Sequence, residues 1–354
     1  MKEYVNKSRR SFLAGTAGLA VAASAFSAGM LVGPRVATAA TTLRIVTAGG
    51  NFEAALKTAM FDPYHAANPE TSIVLDSPDD PARLKAMVEA GNMTADIWIV
   101  GDFFGLDTDG QWLEEIDYSR LDADAILPEY RMKYRVGCDI ENTLITYRKD
   151  VFKDGGPQNF ADFFDTKKFP GKRAVWKFAS GGIFEAALLA DGVEKSKLYP
   201  IDVDRALKKL DSIKEDLIWW DSGAQAVQLL TSGEAPIAFV WGSRSFVAME
   251  SAPVEISWGE WISASGWFTI PKGASNQDES YKAIKFFLAK EQQIAMTRYL
   301  PYGPVNIEAA KSPDPKYKGN LPTDHLDTRV SADHAWWAEN LAAVDERFQE
   351  WLLS

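Results

Sequence analysis

The segment APIAFVWGSRS, residues 235–245, is where the reading of this chain turns. Its first seven residues are apolar, too few for an ordinary helix and enough for a short buried strand. The run then stops at Trp241, two small residues and a cation, Arg244. Taken alone, such a Trp-x-x-Arg means a tryptophan capping a core and an arginine in solvent. Its surroundings change that. The preceding AQAVQLLTSGE (224–234) has the pattern of a helix, and the same alternation of helix and strand recurs through the chain.

Working outward, TLRIVTAGG (42–50) is a buried strand running into glycines. Phe52, Ala55, Leu56 and Ala59 then repeat at helical spacing, with Asn51 placed as their N-cap. TSIVL (71–75), a helix around PARLKAMVEAG (81–91) and the strand DIWIV (96–100), ending at Gly101-Asp102, continue the series. Val203, Ala206, Leu207, Leu210 and Ile213 mark a further helix. SYKAIKFFLAKEQQIAMTRYL (280–300) predicts one long amphipathic helix, and Trp337, Leu341, Val344, Phe348 and Trp351 the last one. Strands alternating with helices predict α/β sheets, in which ligands settle beyond the carboxyl ends of strands, against helix N-termini. Gly49-Gly50-Asn51, Gly101-Asp102-Phe103 and Trp241-Gly242-Ser243-Arg244 all fall at such ends. That shared location lifts Arg244 above a surface charge.

The N-terminus has another character. A basic start, NKSRRSFLAG, an uncharged Ala/Gly-rich middle and the small-residue site Ala37-Thr38-Ala39 describe an export signal over residues 1–39. Arg9-Arg10 followed by Phe12 and Leu13 fits the twin-arginine pattern, a receptor-read address to the periplasm. Residues 11–34 carry no charge, so the competing reading is a membrane anchor. Removing the signal takes away five basic side chains and one acid, and leaves a net charge near −15 on 315 residues. So acidic a surface repels phosphate backbones and argues against nucleic acid as partner. The length predicts two domains. One cysteine, Cys138, allows no internal disulfide and reads as a packing residue.

Catalytic patterns are missing. His65, His325 and His334 show no metal-ligand spacing or catalytic pairing, so all three read as incidental, with no metal and no cofactor expected. There is no nucleophile elbow, phosphate-binding loop or dinucleotide fingerprint. An enzyme is not expected.

Several segments resemble one family, the periplasmic substrate-binding proteins of ABC transporters, in the spermidine/putrescine-binding group with its γ-aminobutyrate relatives. The likeness is carried by FPGKRAVWK (169–177), by ALLADGVEKSKLYPIDVDRALKKLDSIK (187–214) and by WWDSGAQAVQLLTSGEAPIAFVWGSR (219–244). It continues through WFTIPKGASNQDESYKAIKFFL (267–288) and YLPYGPVN (299–306), covering essentially the whole chain after the signal. The resemblance implies the two-lobed type II periplasmic binding protein fold. Each lobe would be a mixed, mostly parallel sheet flanked by helices, with hinge strands between them. Lobe one would take residues 40–143 and 267–312, lobe two 147–263 and 316–354. The protein would be a monomer that closes on a small-molecule solute and hands it to an ABC transporter membrane permease.

The same resemblance implies ligand contacts at Gly50, Asn51, Phe52, Asp102 and Phe103 from lobe one. Ser222, Trp241 and Arg244 would come from lobe two, with Trp267 and Tyr302 near the hinge. Polyamine binders carry carboxylates at two places where this chain has Gly182 and Ser265-Gly266. Asp102 and Glu260 are the acids left to hold an amine. Arg244 stands where polyamine binders are neutral and γ-aminobutyrate binders are similar to this chain. A guanidinium pairs bidentately with a carboxylate, so a zwitterion or organic anion is expected before a polyamine. The rivals are a polyamine binder, a cleft hydrolase or lyase, and an iron-binding variant of the fold, the last disfavoured because RYLPYGP has no adjacent tyrosine pair.

Overall fold

The computed structural model describes residues 41–354, and the export signal expected over residues 1–39 lies outside them. Among the described residues eleven strands form two sheets. In chain order they are β1 (Thr41–Val46), β2 (Thr71–Asp76), β3 (Ile97–Val100), β4 (Val136–Gly137), β5 (Glu141–Arg148) and β6 (Arg173–Trp176). Then come β7 (Leu217–Trp220), β8 (Ile237–Trp241), β9 (Val254–Ala264), β10 (Trp267–Thr269) and β11 (Arg329–Ser331).

The first sheet runs β2-β1-β3-β10-β4, with β1 parallel to β2 and β3, and β10 antiparallel to β3 and β4. The second runs β11-β9-β5-β8-β6-β7. There β5 is antiparallel to β8 and β9, and the outer pairs are parallel. Both sheets are flanked by helices, the mixed two-sheet α/β architecture that the family resemblance implies.

Each sheet has its own core. Ile45, Trp98, Phe268 and Phe287 belong to one apolar cluster, and Phe184, Phe239, Trp337 and Phe348 to another. With a single cysteine no disulfide braces either, so large aromatics carry the burial. Trp98, Trp220, Trp261, Trp267 and Trp337 are all fully buried, each side chain removing ~150–250 Å² from water.

The chain changes sheet where β4 gives way to β5, through residues 138–140, and returns through Ser265-Gly266 between β9 and β10. These two short segments run side by side. The Cys138 amide donates to the Gly266 carbonyl (2.8 Å), and the Gly266 amide donates to Asp139 Oδ1 (3.1 Å). β5 belongs to the second sheet from its first residue, Glu141.

Two local expectations differ from what forms. The helix expected over 280–300 is two helices, Gln277–Phe287 and Lys290–Thr297, with Ala289 in extended conformation between them. The break is held by side chains. Asn306 Nδ2 donates to the Leu288 carbonyl (2.9 Å), and buried Gln293 donates to the Cys138 carbonyl and accepts from the Val305 amide. Such bonds meet backbone and amide groups that a break would otherwise orphan. Asn51 is not an N-cap: Gly49 holds that position with φ 79°, and Asn51 is the second residue of the helix Gly50–Leu56. The positive φ is what glycine supplies there.

Candidate functional site

The cleft lies at the strand ends expected to bind, and it has two chambers that share Trp241. The larger, about 750 Å³, is bounded by Gly49–Phe52, by Ser243 and Arg244, and by Tyr299–Tyr302. The other, about 560 Å³, is bounded by Asp102 and Phe103 after β3, Glu141–Thr143 at the start of β5, Trp176 and Phe178, and Ile262–Ser265 at the end of β9.

Trp241 ends β8 half-buried and meets Trp176 edge-on (4.9 Å, 77°) and Trp220 likewise (5.0 Å, 88°). Trp220 is sealed and stacks on Trp176, so two half-buried aromatic walls stand on a fixed base. Arg244 lies in the first turn of the helix Gly242–Met249, whose N-cap residue contributes no side-chain bond. Its stem packs against Gly223, where any β-carbon would collide with it. The Arg244 Nε is shielded from solvent and has no hydrogen-bond partner. No carboxylate stands within ion-pair distance of Arg244 among the described residues. An uncapped helix N-terminus and an unpaired guanidinium on one chamber wall make a place for an anion.

Asp102 is differently placed. Its Oδ1 accepts from Trp267 Nε1 (2.8 Å), and its Oδ2 from the Ser265 amide (3.1 Å). His334 Nε2 stands 3.4 Å from Oδ1. Arg135, buried completely, donates to the Asp102 and Phe104 carbonyls (2.6 and 2.8 Å) and contacts His334 Nδ1 (2.9 Å). Arginine can only donate, so His334 Nδ1 is the acceptor and the ring proton sits on Nε2, facing Asp102. Burial lowers the His334 pKa further, which favours this neutral tautomer. His334 is therefore not incidental: it braces Asp102 from the terminal helix His334–Leu353.

Two carboxylates that the sequence reading passed over stand beside this group. Asp139 is 2% exposed, and its Oδ2 has no partner. Burial pushes its pKa up to about 6, against the opposing bond from the Gly266 amide. Glu141 lines the chamber, and burial together with the Asp139 and Asp102 charges raises its pKa well above the ordinary carboxylate range. Tyr302 lies between the two ends. Burial, Glu141 and Asp139 raise its hydroxyl pKa, while Ser243 and Arg244 act in the other direction. Among the described residues Arg244 thus has no anion within ion-pair distance at one end of the cleft, and Asp139 and Glu141 have no cation within that distance at the other.

The expected contacts divide. Gly50, Asn51, Phe52, Arg244 and Tyr302 line the first chamber, Asp102 and Phe103 the second, and Trp241 both. Phe52 and Tyr302 face each other at 6.3 Å. Two do not reach the cavity. Ser222 is exposed and caps the helix Gly223–Ser232, its Oγ accepting from the Gln225 amide (3.3 Å). Trp267 is buried between Tyr130, stacked at 5.5 Å, and the Arg135 guanidinium, 4.0 Å over its ring. Its part is to orient Asp102. Glu260 is also elsewhere, accepting from the Phe160 amide (2.9 Å). At Gly182 no side chain fits, since φ is 90° and a β-carbon would lie 2.7 Å from Ile262 Cγ1.

Residues 59–323 match the family described as bacterial extracellular solute-binding proteins. The chain is a member of that family. A solved γ-aminobutyrate (GABA) receptor is 39% identical over 88% of this chain and 98% of its own, with a TM-score of 0.81. A binding protein from Agrobacterium tumefaciens R10, solved with agropinic acid, is 32% identical over 89% of this chain and 99% of its own, TM-score 0.70. The γ-aminobutyric acid-binding protein of Pseudomonas aeruginosa strain PAO1 is 28% identical over 88% of this chain and 90% of its own. Such solute-binding proteins take small-molecule solutes and work with membrane permeases, and the family is an exported one. Its members resembled here are binding proteins, not enzymes.

For this solute-binding protein, the signal that could have found Asp139 and Glu141 was present in CDIEN (138–142), a pair of acids flanking an apolar residue just before a strand. Nothing local says that Ser265-Gly266 comes to lie against them. Among the described residues no helix is long and apolar enough to cross a membrane, and no group of three or more His, Cys, Asp or Glu side chains is arranged to hold a metal.

Proposed function

We propose that this solute-binding protein captures a small zwitterionic ω-amino acid of the γ-aminobutyrate kind and delivers it to an ABC importer. The observation that carries this is Arg244 without a carboxylate partner on the wall of one chamber, with Glu141 on the wall of the chamber beyond Trp241. The solute carboxylate would pair with Arg244 and the helix start behind it. Its methylenes would lie along Trp241 and Phe52. Its ammonium would rest among Asp102, Asp139 and Glu141, with Tyr302 between the poles. The solved GABA receptor and the Pseudomonas aeruginosa protein are named for γ-aminobutyrate, which supports this class of solute over a polyamine.

Closure would move the lobe built on the first sheet against the lobe built on the second about the paired segments at 138–140 and 265–266, a standard hinge device; residues 141–143, expected in lobe one, pair within the second sheet. Export would use the twin-arginine pair, so Arg9→Lys with Arg10→Lys should strand the protein in the cytoplasm. Normal periplasmic levels of that double variant would show a different address.

Calorimetry at neutral pH with γ-aminobutyrate, an aminophosphonate, putrescine and spermidine tests the solute class. The two zwitterions should bind more tightly than either polyamine. Micromolar or tighter polyamine binding that survives Arg244→Ala would overturn the reading.

A further inference from the structure

Asn142 is the second residue of β5, where the chain has just entered the second sheet, and it is 3% exposed. It lines the cleft, yet neither its Nδ2 nor its Oδ1 has a hydrogen-bond partner. Its amide packs directly on Gly242, where any β-carbon would collide with it, at the head of the helix that carries Arg244. Glu141, the residue before it, lines the same chamber. A buried amide left without partners is costly, and native proteins keep few of them. Those that remain on a binding wall are supplied by what binds.

Resting on the zwitterion reading above, we propose that Asn142 is the residue that reads solute polarity. An amide is neutral and carries both a donor and an acceptor. As placed, Oδ1 is the atom nearer Gly242; no hydrogen bond holds the amide, and turned over about its last bond its Nδ2 would donate to the solute carboxylate on the Arg244 side. Its Oδ1 would accept from the ammonium on the Glu141 side. One side chain then touches both poles, and only a solute bearing both satisfies it. A diamine would leave the Nδ2–H groups facing a second cation, and a dicarboxylate would set an anion against Oδ1. Rejection of the wrong solute by unpaired buried groups is a strong discriminator.

The test uses the full mature chain with γ-aminobutyrate and putrescine as probes. Asn142→Leu keeps the shape and removes both orphan atoms. The empty variant should melt no lower than wild type, while γ-aminobutyrate affinity falls at least about 10-fold. A purely structural amide would give the opposite, a lower melting temperature with affinity intact, and that result overturns the proposal. Asn142→Asp sets an anion beside the Arg244 helix, so it should lose γ-aminobutyrate and shift the preference toward putrescine by about 100-fold. An unchanged preference in Asn142→Asp also overturns it. If Arg244→Ala and Asn142→Leu both bind γ-aminobutyrate as wild type does, the zwitterion reading itself is wrong. If only Asn142→Leu does, the zwitterion reading stands and the assignment of Asn142 falls.

Discussion

Arg135 and Arg244 are both drawn into the protein, one under the first sheet and one at the end of the second, and they are treated in opposite ways. Arg135 is sealed, donating to two carbonyls and to His334, with the Trp267 ring beneath it. Burial lowers its pKa only to about 10, so it stays charged at neutral pH. Arg244 makes no hydrogen bond and no ion pair among the described residues, and it lines a chamber. Neither arginine has a partner on its Nε, but both terminal nitrogens of Arg135 are bonded, and a buried charge satisfied there is a structural device because its desolvation is offset on the spot. One whose terminal nitrogens stay unpaired on a chamber wall is a place for a ligand's anion. The contrast separates the two cations more cleanly than exposure does.

The most direct way to break this contrast is to remove each arginine in turn. Arg135→Ala would strip the donors from the Asp102 and Phe104 carbonyls and from His334, so stability should fall by about 3–5 kcal/mol. For a chain of this size that is a melting point lower by on the order of 10 °C, read by calorimetry. Arg244→Ala should do the reverse, leaving the melting point of the empty protein near wild type. It should weaken γ-aminobutyrate by about 2–5 kcal/mol, at least roughly 30-fold, in a titration. Loss of stability in Arg244→Ala, or of affinity alone in Arg135→Ala, would erase the distinction.

Smaller effects sharpen it. Trp241→Ala removes the wall shared by both chambers, and its apolar and cation–π contacts should cost about 1–3 kcal/mol of binding.

The smallest effect is a pH dependence from the acid end. In the empty protein Asp139 titrates with a pKa raised to about 6, and an ammonium requires it ionised. Affinity for an ω-amino acid should therefore fall as pH drops through about 6, with protons released on binding near that pH. The sign for folding is opposite. A carboxyl raised in the folded state favours folding at low pH, and that contribution is lost as pH rises through about 6. Titrations at pH 5 and 7.5 in buffers of different ionisation enthalpy measure both the affinity change and the proton release. Flat affinity over that range would take Asp139 out of the amine site.

What the sequence determined by itself was local. Apolar runs of strand length, helical spacings and glycines at strand ends placed β1, β3 and β8 and put Gly49–Phe52, Asp102-Phe103 and Trp241–Arg244 on one rim, because hydrophobic periodicity is a short-range property of the chain. The break at Leu288-Ala289 escaped it because the side chains of Gln293 and Asn306, donating to the Phe287 and Leu288 carbonyls, hold it open. Tertiary structure alone decided the chemistry of the cleft's acid end. Asp139 meets the Gly266 amide across 127 residues of sequence, and His334 reaches Asp102 from the terminal helix. It also demoted Ser222 to a helix cap and Trp267 to a brace. The reason is physical. Whether a carboxylate is a free base, a braced acceptor or a buried acid depends on the donors and the dielectric around it. Those are set by which distant segments the fold lays side by side.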